Sequence, residues 1–381
     1  MSEGNESKVR VELGERSYDI VLVSGGLERL PEYVEAWTAR LPNRQPGPGS
    51  ALVVTDANVL PLHAERALEA LRAAGWRCEM SVLEPGEQSK SLRRIEAVYD
   101  QLVEMKANRQ TVVIAVGGGV VGDAAGFVAA TYARGVPFVQ VPTSLLAQVD
   151  SSVGGKVAVN HPKGKNLIGS FYQPLGVFID TATLTTLQER EYRSGLGEVV
   201  KYGVILDEQF FSFLEAHTQE LNERDVEVLQ QVVARCCRLK ADVVEQDEQE
   251  LTGLRSILNY GHTFAHAFET LSHYDELLHG EAVSVGMVYA AKLAERLKLI
   301  PAELTDRQTA LLKALKLPTA LPDPKRFAPD DILEVMKLDK KAVEGRLRFV
   351  LPTRLGHVEL FKDVPETEVR WVLEQLASQP V

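Results

Sequence analysis

The stretch TVVIAVGGGVVGD, Thr111 to Asp123, decides how the chain is read. Thr111 to Val116 is a short, β-branched apolar run that passes directly into glycine. Such a run reads as a strand buried on both faces. Gly117, Gly119 and Gly122 then fit G-x-G-x-x-G. After a strand and before a helix, such glycines let the backbone approach a pyrophosphate, and the helix N-terminus offers free N–H groups and positive potential. A tight turn with close packing explains the same glycines, so the loop by itself leaves both readings open.

Outward from this loop, similar runs recur. Lys8 to Leu13 and Tyr18 to Val23 read as two strands around a turn. Ala51 to Thr55 ends in Asp56, Val136 to Val141 ends at Pro142, and Gly176 to Ile179 ends at Asp180. Apolar runs separated by helical stretches predict a parallel sheet with crossover helices. Leu41 to Ser50, rich in Pro and Gly, reads as a surface loop. After about Thr185 glycines thin out and helical periods take over: Glu198 to Leu214, Val226 to Glu245, Ile257 to Leu271 and His279 to Leu297. The expected architecture is an α/β Rossmann-like nucleotide-binding domain over 1–187 and an all-α domain over 188–381. Ligands of such proteins usually sit in a cleft between domains.

Composition limits what such a chain does. Its 381 residues are about 2.5 domain lengths, which favours two domains. An apolar fraction of 45% and a charged fraction of 25% are those of a globular protein with a core. Lys+Arg minus Asp+Glu is 42 − 53 = −11, which argues against broad binding to nucleic acid or anionic membrane. A small anionic substrate is still compatible if cations gather locally. The three cysteines, Cys78, Cys236 and Cys237, build neither a disulfide framework nor a paired zinc knuckle, and point to a reducing compartment. Met1 to Arg10 lacks the apolar core of a signal peptide, and the low-charge run Thr111 to Gly122 is too short to span a bilayer. A cytoplasmic protein is expected.

No Asp or Glu lies between Asp123 and Asp150, where the usual ribose-binding acid would fall. Asp56 with Asn58, and Glu87 with Lys90 in a PGEQSK loop, are candidate nucleoside contacts; Asp56 reads equally as a turn residue. Pro142 to Asn166 sets Asp150, Lys156, Lys165 and Asn166 among Ser and Gly. Lysines in such a polar loop can bind phosphate or carboxylate as point charges, or simply be solvated. Arg134 lies just upstream.

Arg255, Asn259, His262 and His266 are spaced 4, 3 and 4, which predicts one stripe along a helix. By spacing alone His262 and His266 pair as metal ligands; satisfied helix histidines are an equal reading. His279 and an acid would complete a two-histidine, one-carboxylate zinc site with an open position. Glu198 and Lys201 are one turn apart.

Taken in order, the glycine loop, QVDSSVGGK, EVVKYG, LNYGHTF, HGE and Asp339-Lys340-Lys341 closely resemble the 3-dehydroquinate synthase family, over roughly residues 50 to 352. The resemblance implies conversion of 3-deoxy-D-arabino-heptulosonate 7-phosphate to 3-dehydroquinate and phosphate in the shikimate pathway. The steps implied are transient oxidation, phosphate elimination, reduction, and closure by an intramolecular aldol reaction. NAD is recycled, and a divalent metal, zinc or alternatively cobalt, assists. The family pattern moves the metal to Glu198, His262 and His279 and turns His266 towards substrate. It implies NAD contacts from Asp56, Asn58, Glu87, Lys90, Gly118, Gly119, Asp123, Thr143, Ser144, Lys165 and Thr186. Substrate contacts carried over are Arg134, Asp150, Lys156, Asn166, Lys201, Lys240, Arg255, Asn259, His266 and Lys340. It further implies a homodimer in which Arg134 reaches the neighbouring subunit's phosphate site. Ser144 stands where Thr is frequent, Ala265 where Gly is, and the segment before Arg255 is one residue longer than usual, which leaves open the carry-over of a substrate-contacting acid to Glu250. Another sugar phosphate cyclase and a metal-dependent polyol dehydrogenase are the rival readings.

Overall fold

The run at Thr111 forms a strand because β-branched residues suit extended backbone and both its faces are covered. The computed structural model describes residues 6–272, 276–323, 326–338 and 347–377. In chain order the first part contains β1 (Ser7–Val11), β2 (Tyr18–Val23), α1 (Leu30–Thr38), β3 (Ser50–Asp56), α2 (Glu65–Ala73), β4 (Arg77–Leu83) and α3 (Leu92–Glu104). It continues with β5 (Val112–Gly117), α4 (Gly119–Thr131), β6 (Phe138–Pro142), β7 (Lys156–His161), β8 (Gly164–Phe171) and β9 (Gly176–Asp180). The second part contains α5 (Glu189–Leu206), α6 (Glu208–Ala216), α7 (Thr218–Glu223), α8 (Val226–Gln246), α9 (His262–Leu271), α10 (His279–Arg296), α11 (Ala302–Ala314) and α12 (Pro329–Leu338). It closes with β10 (Leu347–Arg354), β11 (His357–Val364) and α13 (Glu366–Ala377).

Two compact units emerge. The first is Met1–Gln188 with Leu229–Gln249, and the second is Glu189–Val228 with Glu250–Val381. The body of α8 thus belongs with the α/β unit. The first unit is a seven-stranded sheet of order β1-β2-β9-β6-β5-β3-β4, parallel except that β1 runs antiparallel to β2. Ile114 lies opposite Val139 on one side, and Val113 opposite Leu52 on the other. One face is covered by Trp37, Leu68, Leu71 and Trp76, the other by Ile95, Val98, Leu102 and Phe127. The strand order reverses between β3 and β5, since β4 lies outside β3 while β5 and β6 lie inside. In doubly wound sheets a crevice opens at the carboxyl ends of such a strand pair. Asp56 ends β3 and Gly117 ends β5, so both stand at that crevice.

The structure departs from the sequence reading in several elements. An edge strand, β4, was not anticipated; its buried positions are Cys78, Ser81 and Leu83, interrupted by exposed residues, rather than a uniform apolar run. The polar stretch after Asp150 is not simply a loop but the hairpin β7–β8. The helix expected over Glu198 to Leu214 breaks at Asp207, whose side chain caps α6 by accepting from Phe210 N at 3.0 Å. The second unit is helical, but it also carries the hairpin β10–β11.

On β2, Asp19 is only 2% exposed and receives Lys8 Nζ at 2.8 Å, Arg10 at 3.0 Å and Arg40 at 3.2 Å. Burial pushes its carboxyl up, and the three cations more than reverse this, holding it below the usual carboxylate range. A carboxyl depressed by folding stabilises fully above its unfolded pKa and loses that contribution as pH falls through the folded value. Asp19→Asn should therefore cost about 1–2 kcal/mol at neutral pH, discounted because the cations are half exposed. Urea melts across pH should show the gap closing below the usual carboxylate range; a pH-independent gap would refute the linkage.

Candidate active site

In the first unit β5 passes through Gly117, Gly118 caps the following helix, and α4 begins at Gly119. The four glycines divide by role. A Cβ at Gly117 would lie 2.7 Å from Val121, and one at Gly122 would lie 2.9 Å from Gln140 Oε1, so these two serve packing. Gly118 and Gly119 instead lie under hydroxyls, Ser144 Oγ at 3.3 Å and Ser151 Oγ at 3.1 Å from the corresponding Cβ positions. A polar cradle with bare backbone at a helix N-terminus suits a phosphate-bearing ligand.

The same unit carries the other residues expected to contact a nucleotide. Thr143 N donates to Gly117 O at 3.0 Å. Asp123 on α4 is ion-paired with the buried Lys90; burial pushes its carboxyl up, and Lys90 opposes that. Glu87 accepts from Asn160 Nδ2 at 2.7 Å, and Asn160 Oδ1 accepts from Asn166 N at 2.8 Å, tying the loop after β4 to the β7–β8 hairpin. Asp56 Oδ1 accepts from Asn58 N at 2.8 Å and Val59 N at 3.0 Å, so its turn role is real. Thr186 Oγ1 meets His63 Nε2 at 2.8 Å.

A second cluster of the same unit concerns cations. Lys240 reaches from α8 and donates to Asp150 O at 2.7 Å and to Asp150 Oδ1 at 2.9 Å. Lys156 opens β7, and Lys165 and Asn166 lie on β8; all three are exposed. Arg134 is also exposed. It sits among three successive residues of positive φ, Ala133 at 49°, Arg134 at 66° and Gly135 at 116°. Two adjacent non-glycine residues there cost about 1–3 kcal/mol each and persist only where surroundings hold them. The hydroxyl of Tyr172, donating to Val136 O at 2.7 Å, anchors the exit of this turn.

The second unit builds a candidate metal centre. Glu198 on α5, His262 at the start of α9 and His279 at the start of α10 place one ligand atom each within 4.8 Å of one another. Glu198 Oε1 is 3.5 Å from His262 Nε2 and 3.6 Å from His279 Nε2. Glycines next to all three ligands allow this convergence. A Cβ at Gly280 would overlap the carbonyl oxygen of Ser194, one at Gly197 would lie 2.5 Å from Gly280 O, and one at Gly261 would lie 2.8 Å from Met287 Cγ. Each ring is held through its other nitrogen: His262 Nδ1 is 3.1 Å from Tyr260 O, and His279 Nδ1 is 3.1 Å from Glu269 Oε1. Burial pushes the His279 imidazole down, but its hydrogen bonds to Glu198 and Glu269 carry it up to about 10. Two Nε2 atoms, one carboxylate and Nδ1 atoms held by oxygens form a donor set that fits a zinc-like cation with an open position.

The single-helix stripe is corrected. Leu254–Asn259 is a 3-10 turn, the chain turns at Tyr260 and Gly261, the latter with φ of 79°, and α9 begins only at His262. Pairing by spacing also fails. His266 lies one turn from His262, ring centroids 5.6 Å apart, but the group of ligand atoms joins His262 to His279. Lys201 is ion-paired with Glu198, and both are buried. Arg255 is buried, its Nε 3.6 Å from Glu250 Oε1, and Asn259 ends the same 3-10 turn. Lys340 lies outside the described residues. Sequence reasoning missed Glu269, although it falls seven residues after His262, on the same helical face.

A doubly wound nucleotide unit joined in one chain to a helical unit with a glutamate and two histidines defines the dehydroquinate synthase-like sugar phosphate cyclase class. A solved 2-deoxy-scyllo-inosose synthase, in complex with carbaglucose-6-phosphate, NAD+ and Co2+, superposes with a TM-score of 0.85 at 28% identity, covering 97% of this chain and 99% of that one. The 2-epi-5-epi-valiolone synthase of Streptomyces hygroscopicus, with NAD+ and Zn2+ bound, gives 0.84 at 28% identity, covering 96% and 98%. Residues 80–194 match the 3-dehydroquinate synthase N-terminal family and residues 195–342 its C-terminal family. The 3-dehydroquinate synthase of Desulforamulus reducens is 51% identical over 96% of this chain and 99% of its own length. The chain belongs to the 3-dehydroquinate synthase family.

Proposed function

We propose that the chain is a lyase that converts 3-deoxy-D-arabino-heptulosonate 7-phosphate to 3-dehydroquinate and phosphate, within the shikimate pathway to aromatic amino acids. The observation that carries this reading is identity: 51% over nearly the full length to a 3-dehydroquinate synthase, against 28% to cyclases that close other rings. Bound NAD would supply reversible hydride transfer at the substrate's C5. A divalent metal, zinc or cobalt, would supply Lewis acidity there. The chain's own residues do the rest. Glu198, His262 and His279 hold the metal; Gly118, Gly119, Thr143 and Ser144 cradle the dinucleotide phosphates, and Asp56, Asn58, Glu87, Lys90, Asp123, Lys165 and Thr186 hold the remainder of it.

Lys156, Arg134 and Lys340 are assigned to the substrate phosphate, and Arg255 and Lys240 to its carboxylate, with Asn166 and Asn259 orienting it. Asp150, Lys201 and His266 relay protons. These cations position a multiply charged anion, which reconciles an acidic protein with an anionic substrate. No described helix is long and apolar enough to cross a membrane, and the three free cysteines are buried, which supports a cytoplasmic setting.

The test is phosphate release from the heptulosonate phosphate with NAD far below stoichiometry. Accumulation of one NADH per turnover, or preference for a sugar phosphate lacking the carboxylate, would overturn the reading. The assembly is read as a homodimer with Arg134 acting in the partner's site, where its planar fork can grip phosphate. Arg134→Ala and Lys156→Ala dimers should each be nearly inactive. After subunit exchange about a quarter of wild-type activity should return, since half the dimers are mixed and half their sites are intact. Verified exchange without recovery would place Arg134 in its own subunit's site.

A further inference from the structure

Resting on the metal reading above, we infer that Glu269 is a positioning residue that acts through His279 and sets both the orientation and the donor strength of that ligand. The two histidines of the centre are not held alike. The His262 side chain is 11% exposed and its Nδ1 faces a backbone carbonyl, Tyr260 O. The His279 side chain is 36% exposed, so packing covers it less completely than it covers His262. Its Nδ1 instead faces a carboxylate, Glu269 Oε1, at 3.1 Å, and its Nε2 faces Glu198. Glu269 is itself buried, at 5% exposure, on the third turn of α9. The helix that supplies His262 thus also supplies the group that orients His279 on α10.

The consequence is a directional one. With Nδ1–H donating to a carboxylate, the proton stays on Nδ1 and Nε2 keeps its lone pair for the metal. The negative partner also makes the imidazole a stronger donor than a carbonyl would. Without that carboxylate the ring would lose the acceptor at its Nδ1, and the other tautomer would turn an N–H towards the ion.

The experiment compares the parent, Glu269→Gln and His279→Ala, each stripped and reloaded with Zn2+ or Co2+ in competition with a chromogenic chelator. Glutamine keeps size and one acceptor but removes the charge. Glu269→Gln should bind metal about 10–100-fold more weakly than the parent. Its Co2+ absorption bands should shift, while NAD affinity, carried by the other unit, stays unchanged. Equal affinity and an unchanged Co2+ spectrum would overturn the inference and leave the metal site standing. Failure of the parent to bind metal, or binding by His279→Ala equal to the parent, would overturn both. The inference is also read on the parent alone: nitrogen NMR of the Zn2+-loaded protein should show His279 protonated at Nδ1 and metallated at Nε2. The reverse assignment overturns it even if Glu269→Gln does not fold.

Discussion

Replacing any one of Glu198, His262 and His279 should abolish tight metal binding and lower turnover by at least about 10³-fold, because even an outer partner of a metal ligand is worth 10–100-fold. His266→Ala should keep the metal at parental affinity and still lose turnover. The contrast follows from geometry. The ligand atoms of the first three lie within 4.8 Å of one another, whereas His266 stands a turn further along α9. Metal content of the four purified variants, with NAD affinity as a check on the fold of the other unit, decides it. A metal-free His266→Ala with a metal-loaded His279→Ala would reverse the assignment. Chelation of the parent should remove activity, and Zn2+ or Co2+ should restore it.

Gly280→Ala should be nearly as damaging although it alters no ligand. The added Cβ would overlap the carbonyl oxygen of Ser194, and that oxygen belongs to backbone. The Ser194 hydroxyl also accepts from Gly280 N at 3.0 Å, so the strand of contact between α5 and α10 is fixed from both sides. Only a shift of one helix against the other can relieve the overlap. His279 precedes the clash by one residue, and Glu198 lies one turn beyond Ser194, so the shift pulls two ligands apart. We expect metal affinity to fall at least about 100-fold, and overpacking to cost roughly 1–3 kcal/mol or more. Melting with and without chelator separates the two effects. The stability loss should persist without metal. Parental metal affinity in Gly280→Ala would show that the α5–α10 contact does not set the ligand geometry.

Much of the α/β unit was legible because its signals are local. A β-branched run into G-x-G-x-x-G predicts strand, turn and helix within a dozen residues, and β5 and α4 follow that pattern. The family resemblance singled out Gly118 and Gly119, but the physical reason that Gly117 and Gly122 serve packing while these two line a polar cradle was not legible. That depends on Val121 and Gln140 in one case and on Ser144 and Ser151 in the other. The hairpin β7–β8 was hidden by its exposure, since its outer strand lacks the apolar alternation that marks a half-buried strand. The helical stripe from Arg255 to His266 followed a correct period across an incorrect boundary, because Tyr-Gly at 260–261 turns the chain before α9 begins.

By itself the sequence determined the parallel sheet, the glycine loop, the helical character of the second half, an acidic protein and, through its ordered motifs, the family. Periodicity and composition act over one or two turns, and those features need no more. The ordered motifs already implied Glu198, His262 and His279; the tertiary structure alone decided how separate helices bring their ligand atoms within reach of one another, that Glu269 stands behind His279, and that Lys240 meets Asp150. These groups come from separate elements. What brings the metal ligands together is the close approach of α5, α9 and α10 backbones at Gly197, Gly261 and Gly280, where a missing Cβ leaves room that no local pattern encodes.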